Sequence, residues 1–557
     1  MSERIFIGVA WPYANGPLHL GHIAVAYLPA DIFARYHRLK GNKVLMVSGS
    51  DQHGAPITIR AEQEGTSPQE VATKYHQQFT DCWKRLGISF DLFTSTGTSN
   101  HTQVAHDVFL SLLERGYIYR DKMLQAYCPK CQRVLPDRYL EGTCPNCGFA
   151  RARGDECDEC GRPLNPVELK DLRCHICSTP PRFESSEHFF LRLSAFQEKL
   201  AAWIKEQSQW RHHVISTTWK FLNEGLKDRA ITRDLDWGIV VPQAGFERKR
   251  IYVWFEAVIG YLSASKEWAK SQGDDSAWQA FWRGDARSFY FIGKDNIFFH
   301  TLVWPAMLMG YGGLNLPYDV PANEFLTIEG RKLSTSRGWA IWLPDYLERY
   351  EPDPLRYAVA ANMPETGDSD FSWHEFLRRN NNELVATYGN LAHRVLTFTY
   401  RNFDGTVPAA GELDERSLGL VNAAETTMGS VDRLLYRCEF KEALKQAMSL
   451  AQEGNRYLDE QAPWKTIKTE RQKSARCVYT VLSVLAVLKT LLYPFLPFSS
   501  ERLHYFLGFD GSVKDRGWGI QTVPPGQRLR QPEPLFVKLD EDIVAKESSR
   551  LHLPGEG

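Results

Sequence analysis

Two histidines, His19 and His22, lie three residues apart in the stretch AWPYANGPLHLGH near the start of the chain. The apolar residues 4–10 before them predict a buried strand, which the prolines, asparagine and glycine of the stretch then break. Residues 20–40 after the break have a helical pattern. Both histidines therefore lie at a strand-to-helix turn, where the N–H groups and the dipole of a helix start favour an anion such as a phosphate. Surface histidines or a pair of metal ligands are the alternatives for this spacing taken alone.

A second polar segment, SGSDQHG, follows the next predicted strand, residues 43–47, and contains Asp51 and His53. In an open α/β sheet, ligands collect at the carboxyl ends of the parallel strands. We therefore expect Asp51 and His53 beside His19 and His22. A carboxylate at this position is suited to bind an ammonium group.

Eight of the eleven cysteines form four C-x-x-C pairs within residues 117–221, where short segments rich in glycine and proline interrupt the α/β pattern. Each C-x-x-C turn directs two sulfurs at one ion, so four turns predict two tetrahedral zinc sites. Disulfides or a redox C-x-x-C are the alternatives, and both fit poorly with an intracellular chain. The order of the pairs does not by itself decide which pairs share an ion. The pairs are Cys128/Cys131, Cys144/Cys147, Cys157/Cys160 and Cys174/Cys177.

Beyond the cysteines the α/β pattern resumes in residues 251–261 and 288–300. Trp254, Tyr261 and His300 in these segments are candidates for an aromatic pocket wall, although each type taken singly is more often a core residue. The later stretch NEFLTIEGRKLSTSRGW predicts a short strand and a loop whose cationic and hydroxyl side chains could clamp a polyphosphate. A solvated loop is the alternative for that segment.

The composition describes a globular chain without a general attraction for nucleic acid. Of 557 residues, 43% are hydrophobic and 24% are charged, and the formal net charge is -1. A nucleic-acid site would therefore have to come from local clusters. The N-terminus lacks the apolar core of a signal peptide, and the longest apolar segment, residues 478–488, is too short to span a bilayer. These features predict a cytoplasmic protein with no membrane partner.

Taken together, the motifs resemble one family, the methionyl-tRNA synthetases among the class I aminoacyl-tRNA synthetases. HLGH at residues 19–22 is similar to the HIGH motif of the class, and KLSTS at residues 332–336 stands where KMSKS is expected. Those two motifs identify only the class. The family is indicated by AWPYANG, GSDQHG, YVWFEAVIGY, FIGKDNIFFH, the cysteine pairs, GNLAHR and DEQAPW, which follow in the family's order up to about residue 464.

The resemblance implies a reaction in two steps. Methionine attacks the α-phosphate of ATP to form methionyl-adenylate and pyrophosphate, and the methionyl group then passes to tRNA. The implied partners are methionine, ATP with its Mg²⁺, and initiator and elongator methionine tRNA with a CAU anticodon, bound by a monomer. Catalysis would rest on in-line positioning and on stabilisation of phosphate charge. A bound polyphosphate should raise the pKa values of His19 and His22.

The resemblance also implies roles for individual residues. The catalytic residues would be His19, His22, Lys332 and Arg337. The ATP site would consist of His19, Gly21, His22, Lys294, Asp295, Lys332, Ser334, Thr335 and Ser336. The amino-acid pocket would consist of Ala10, Trp11, Tyr13, Asp51, Arg233, Trp254, Ala257, Tyr261 and His300. The anticodon readers would be Asn390, Arg394 and Trp464.

Within the implied amino-acid pocket, Asp51 would hold the ammonium group, and Arg233 would pair with Asp51 or with the motif loop. Methionine would be distinguished from leucine by the shape of the pocket and by a hydrogen bond from Tyr261 or His300. The family's cysteine pairing is nested. It implies one zinc held by Cys144, Cys147, Cys157 and Cys160, and a second held by Cys128, Cys131, Cys174 and Cys177.

The KLSTS motif departs from the family at two positions. Thr335 replaces the second lysine, to which the family's stabilisation of the departing pyrophosphate is credited, and Leu333 replaces the methionine. We hypothesise that Lys332 and Arg337 carry the phosphate charge between them. The departure motivates one alternative function, a non-catalytic synthetase-like protein that binds tRNA. A different class I synthetase or a nucleotidyltransferase is another.

The predicted fold class is α/β, with a Rossmann-type parallel sheet and an all-α helical bundle. Residues 1–116 and 222–322 are expected to form the two halves of the catalytic domain, split by the zinc-knuckle insertion at residues 117–221. Residues 323–384 are expected to carry the KMSKS loop and to contact the tRNA stem. Residues 385–557 are expected to form the anticodon-binding bundle.

Overall fold

A computed structural model describes residues 2–135, 137–154, 157, 159–333 and 338–551. Within this part of the chain, the N-terminal half is built on a five-stranded sheet in which neighbouring strands are parallel. The central strands are buried and apolar on both faces, as expected for a parallel sheet covered by helices. In spatial order the strands are Ala322–Asn323, Arg287–Gly293, Arg4–Val9, Lys43–Ser50 and Leu92–Ser95.

The sheet is accompanied by helices that follow its strands. A capping box between Ser67 and Glu70 starts one of them, as the S-P-x-E sequence predicts. Two of the helical segments contain π-helical turns, Ile23–Tyr27 and Phe299–Val303. Such turns are frequent at functional sites. The α-helices are Leu20–His22, Leu28–Leu39, Ala55–Glu64, Pro68–Leu86, Ser99–Glu114, Val253–Ser271 and Trp304–Tyr311.

The cysteine-rich insertion consists mostly of short antiparallel strands. One sheet has the order Arg229–Ala230, Arg182–Leu191, Ile118–Cys128 and Arg133–Val134, and a smaller one has the order Ala152–Arg153, Leu140–Thr143 and Lys170–Cys174. Its helices are Gln197–Lys205 and His212–Glu224. A two-stranded pair, Thr232–Arg233 with Arg250–Ile251, leads back to the parallel sheet.

A small sheet and two helices precede the C-terminal bundle. The sheet has the order Arg331–Lys332, Leu326–Ile328 and Ser369–Phe371, and the helices are Leu343–Arg349 and Pro352–Ala361. The bundle begins at the helix Trp373–Arg378, which continues into the π-helical segment Arg379–Gly389. Its further helices are Asn390–Asn402, Glu415–Tyr436, Phe440–Gln461, Pro463–Thr466, Arg471–Leu492, Pro497–Phe506, Val513–Arg516 and Asp542–Ser548. The predicted fold class is confirmed.

The helix Arg471–Leu492 is the one segment of the described chain that is long and apolar enough to cross a membrane. However, 83% of its apolar window is buried inside the protein. Its side chains belong to one continuous core that also includes the helices Leu28–Leu39 and Pro68–Leu86. The helix is therefore the central helix of the bundle, as a buried apolar stripe requires.

Candidate active site

The HLGH turn is held from two sides. The backbone N–H of His19 donates to Nδ1 of His22 over 3.1 Å, and the two imidazole centroids are 3.8 Å apart. Backbone hydrogen bonds join Leu20 to Ile341 and Leu343 to Leu18. A Cβ on Gly21 would lie 2.7 Å from Cδ1 of Leu333. Glycine at this position therefore lets the KLSTS loop pack directly on the HLGH turn.

Both histidines of the turn are neutral at pH 7. Burial lowers the pKa of His22 to about 4. Burial, reinforced by the neighbouring His22, lowers the pKa of His19 well below its usual value. Nδ1 of His19 is buried without a hydrogen-bond partner among the described residues. A buried polar atom without a partner is suited to meet a ligand.

One cavity of about 310 Å³ opens beside this turn. It brings together side chains from both halves of the parallel sheet and from the insertion. Of the residues expected in the amino-acid pocket, the cavity is lined by Ala10, Trp11, Tyr13, Asp51, Trp254, Ala257, Tyr261 and His300. Of those expected at ATP, it is lined by His22 and Asp295. The two groups of residues thus line one continuous space.

The aromatic wall of the cavity is held by hydrogen bonds between its own members. Nε1 of Trp254 lies 2.5 Å from the Tyr13 hydroxyl. The Tyr261 hydroxyl lies 2.8 Å from Nε2 of His300, whose Nδ1 lies 3.0 Å from the backbone oxygen of Asn296. Burial lowers the pKa of His300 to about 4, so its ring is neutral. Nδ1–H must then donate to the carbonyl, and Nε2 accepts from Tyr261.

Trp11 lies between two glycines that cannot be replaced without moving it. A Cβ on Gly49 would lie 2.2 Å from the indole, and one on Gly260 would lie 2.7 Å from it. The GSD and IGY motifs therefore each contain the glycine that gives this ring its place.

Asp51 lines the cavity. Its backbone pairs with Pro12 and Ala14, and the backbone N–H of His53 donates to its Oδ1 over 3.2 Å. Burial and the nearby carboxylate of Glu256 raise the pKa of Asp51. Among the described residues no ion pair joins Asp51 to Arg233, and the other expected partner of Arg233, the motif loop, lies mostly outside them.

Three predicted residues take positions that the sequence did not indicate. The guanidinium of Arg233 donates to the carbonyls of Ala230 and Thr232 and lies 4.1 Å from the Tyr252 ring. His53 turns behind the cavity to Glu256. Nζ of Lys294 lies 2.6 Å from Glu324 and 2.8 Å from Asp368, and the residue does not line the cavity. Only its neighbour Asp295 does.

The motif loop contacts the insertion. Nζ of Lys332 lies 3.1 Å from a carboxylate oxygen of Glu159, and both side chains are more than half exposed. The other predicted residues of this loop, Ser334, Thr335, Ser336 and Arg337, lie outside the described residues. Their predicted roles therefore stay predictions.

Sequence reasoning missed several residues of the cavity wall. Tyr27 donates its hydroxyl to the carbonyl of Ala10 over 2.7 Å, and Phe299 packs against Trp254. Both lie in π-helical turns, which the 3.6-residue period does not reveal. Arg138 enters the cavity from the insertion, and no local signal marks it.

The eight paired cysteines form two clusters, each with its sulfurs within 4.8 Å of one another. We call Cys144, Cys147, Cys157 and Cys160 the inner cluster, and Cys128, Cys131, Cys174 and Cys177 the outer cluster. The Sγ separations of 3.4 Å for Cys128/Cys177 and 3.5 Å for Cys147/Cys157 are close to those in a tetrahedral ZnS₄ site, about 3.8 Å. Both clusters can hold a metal ion, and the expected nested grouping is confirmed.

A second cavity, of about 340 Å³, lies in the bundle and contains two of the three expected anticodon readers. The guanidinium of Arg394 lies 4.8 Å from the Trp464 ring and 2.8 Å from Asp459. Asn390 is exposed at the start of the same helix, one turn before Arg394. Such an Arg–Trp surface is suited to stack unpaired bases.

A parallel sheet with an HLGH turn beside a cavity, and with Leu333 of the KLSTS motif packed on that turn, has the arrangement of a class I aminoacyl-tRNA synthetase. A family model described as tRNA synthetases class I (M) matches residues 5–396. A second, described as the anticodon binding domain of methionyl tRNA ligase, matches residues 407–552. The chain therefore belongs to the methionyl-tRNA synthetase family, which confirms the resemblance and the enzyme class predicted from the motifs.

Relatives match the chain over nearly its whole length. A methionine–tRNA ligase of Dehalococcoides mccartyi is 60% identical over 553 residues, which covers 99% of this chain and 100% of that relative. One of Roseiflexus castenholzii is 51% identical over 587 residues, with 99% of each chain covered. The solved structure of Mycobacterium tuberculosis methionyl-tRNA synthetase in complex with methionyl-adenylate has a TM-score of 0.80 at 25% identity, and the match covers 96% of this chain and 100% of that one.

Proposed function

We propose that the 310 Å³ cavity is where this methionine–tRNA ligase joins methionine to AMP before transfer to tRNA. The observation that carries the proposal is that residues expected at methionine and residues expected at ATP line one continuous space. Methionine would enter with its ammonium toward Asp51 and its side chain among Trp11, Trp254 and Tyr261. Its carboxylate would then face the HLGH turn.

In this proposal the protein positions the reactants and stabilises charge. His19 and His22 donate to the phosphates, and phosphate charge raises their pKa values from the low values that burial imposes. Lys332 and Arg337 stabilise the phosphate charge from the side opposite the histidines. They take the place of the lysine that Thr335 replaces. Mg²⁺ arrives with ATP as part of the substrate. Holding the carboxylate in line with the α-phosphate supplies the rest of the catalysis.

Zinc is the metal that we propose for both cysteine clusters. Four thiolates in tetrahedral spacing form the donor set of structural zinc sites, which are closed and take no part in chemistry. The ions would hold the insertion in place, so that Arg138 reaches the cavity and Glu159 reaches Lys332.

For tRNA, we propose that Arg394 and Trp464 stack bases of a CAU anticodon, with Asn390 at the edge of the surface. Initiator and elongator methionine tRNA share that anticodon and would both be substrates. A cytoplasmic location and a monomeric state are further predictions from the sequence.

The function is tested by methionine-dependent ATP–pyrophosphate exchange and by charging of methionine tRNA, each on the wild type and two variants. Trp464→Ala removes a stacking surface worth about 1–3 kcal/mol per base, so we expect kcat/KM for charging to fall about ten- to a hundredfold while exchange stays within about twofold. Tyr505→Ala is the matched control, because Tyr505 is an exposed aromatic residue of the same bundle under Arg530. It should change neither activity.

Each assay has an outcome that contradicts part of the proposal. A wild type without methionine-dependent exchange would favour the non-catalytic tRNA-binding alternative. Equal losses of charging in Trp464→Ala and Tyr505→Ala would refute the anticodon surface.

A further inference from the structure

A second group of titratable side chains lies behind the cavity and has no part in the roles above. Glu256, on the helix Val253–Ser271, is fully buried, and its two oxygens face histidines from different elements. Nδ1 of His53 lies 2.8 Å from Oε1, and Nε2 of His101 lies 3.0 Å from Oε2. Nδ1 of His101 lies 3.0 Å from Oγ of Ser263. A buried carboxylate is tolerated only with such hydrogen-bonding partners. Apolar packing alone would not require a carboxylate at this position.

The group is connected to Asp51 through a short piece of backbone. His53, whose ring Glu256 holds, donates its backbone N–H to Oδ1 of Asp51 over 3.2 Å. The residue between them, Gln52, is held by Trp237, whose Nε1 lies 2.6 Å from its carbonyl oxygen. Residues 51–53 are therefore anchored from behind, while Asp51 faces the cavity.

We propose that Glu256 is a positioning residue for amino-acid recognition, which fixes the orientation of Asp51 by holding His53 and His101 together. This inference rests on the proposed function, in which Asp51 binds the ammonium group of methionine. Glu256 itself does not line the cavity and acts through Asp51.

The charge of Glu256 has a second effect at Asp51. Burial alone would raise the pKa of Glu256, but His53 and His101 outweigh burial and lower it, so Glu256 is ionised. Its charge then adds to burial in raising the pKa of Asp51. Asp51 must be ionised to bind an ammonium group, so methionine binding weakens as the pH falls through the pKa of Asp51. Besides Glu256, His53, His101 and Asp51, Glu267 on the same helix lies near His101, and Lys270 lies near Glu267.

The test compares the pH dependence of KM for methionine in pyrophosphate exchange between the wild type and three variants. Glu256→Gln keeps hydrogen-bonding capacity, because each imidazole can change its tautomer, but removes the charge. We expect its KM at alkaline pH within about twofold of the wild type, and the acid rise of KM displaced about one pH unit downward. Glu256→Met also removes the hydrogen bonds, and its KM should rise about tenfold while kcat stays within about twofold.

Glu267→Gln is the matched control, because Glu267 is a partly buried carboxylate on the same helix that accepts from Thr94 instead of holding His53. It should keep the acid rise of KM at the wild-type pH. The inference is overturned if Glu256→Gln keeps the wild-type profile, or if Glu256→Met alters KM no more than Glu267→Gln does. If Glu256→Met does not fold, the Gln profile alone decides. A wild type without exchange refutes the proposed function instead, so the two failures are distinguishable.

Discussion

At the scale of single residues, burial keeps the HLGH histidines neutral in the protein by itself. Burial lowers the pKa of His22 to about 4, and Nδ1 of His22 accepts from the backbone of His19. The proton of this imidazole is therefore on Nε2. The raised pKa expected from the sequence belongs to the complex with a polyphosphate, because only nearby anionic charge can outweigh this burial.

Tyr261 gives the first prediction at this scale. Its hydroxyl donates its proton to His300, and His300 donates its own proton to the carbonyl of Asn296. Neither proton is therefore available for a hydrogen bond to the thioether of methionine. We expect Tyr261→Phe to raise KM for methionine and for leucine by similar factors, leaving their kcat/KM ratio within about threefold of the wild type. Exchange kinetics with both amino acids measure this ratio. A fall of tenfold or more would mean that Tyr261 recognises the sulfur by a hydrogen bond.

At the scale of elements, the insertion contributes to the candidate active site. It supplies Arg138 to the cavity wall and Glu159 to the motif loop. The apolar clusters around its cysteines are small and are built partly from the cysteines themselves. Because so little apolar surface is buried around the cysteines, we expect metal binding to supply much of the folding free energy of this part of the insertion.

Elemental analysis of purified protein tests this dependence. We expect about two zinc ions per wild-type chain and about one in Cys147→Ser, which removes one ligand of the inner cluster. Glu159 lies within the inner cluster's sequence, so exchange should also slow in Cys147→Ser. Cys82→Ala is the control, because Cys82 is a buried thiol outside both clusters, and it should retain two ions. A wild type with one ion would contradict the two-site interpretation.

At the scale of the whole molecule, one buried ion pair joins the parallel-sheet half to the bundle. Arg356 is fully buried, and its Nη2 lies 2.7 Å from Oδ2 of Asp31 on the helix Leu28–Leu39. The same guanidinium donates to the carbonyls of Pro494 and Phe495 in the bundle. Burial alone would raise the pKa of Asp31, but Arg35 and Arg356 outweigh it and lower the pKa to about 2.

Arg356→Met should destabilise the protein by about 3 kcal/mol or more, because Asp31 loses a charged partner while it stays buried. Arg378→Met is the control, since Arg378 pairs with Glu375 and Glu383 at the surface, and it should change stability by less than about 1 kcal/mol. Chemical denaturation at pH 7 measures both.

The same carboxylate sets a pH dependence. The folded pKa of Asp31 is below its usual value of 3.8, so its contribution to stability is complete above pH 3.8 and is lost as the pH falls toward 2. Without Arg356 the folded pKa of Asp31 rises toward 3.8, so in Arg356→Met this acid loss of stability should become smaller than in the wild type. An equal effect of both arginine variants on stability and its pH dependence would show that burial of the pair is unimportant.

The sequence by itself determined the strands, the turns and the residue types at the cavity. Apolar runs, glycines and motif spacing are local features, and they indicated that Asp51 lies near the HLGH turn and that Trp254, Tyr261 and His300 could form an aromatic wall. That these residues share one pocket was implied by the family resemblance, and they line one cavity. The family resemblance added the nested grouping of the cysteines.

Only the tertiary structure decided where the charged side chains point. Lys294 turns to Glu324 and Asp368, and His53 turns to Glu256. Each of these directions is set by a partner far away in sequence, because a buried or half-buried charge takes whichever opposite charge or hydrogen-bonding group the fold brings within reach. Spacing along the chain carries no record of that partner.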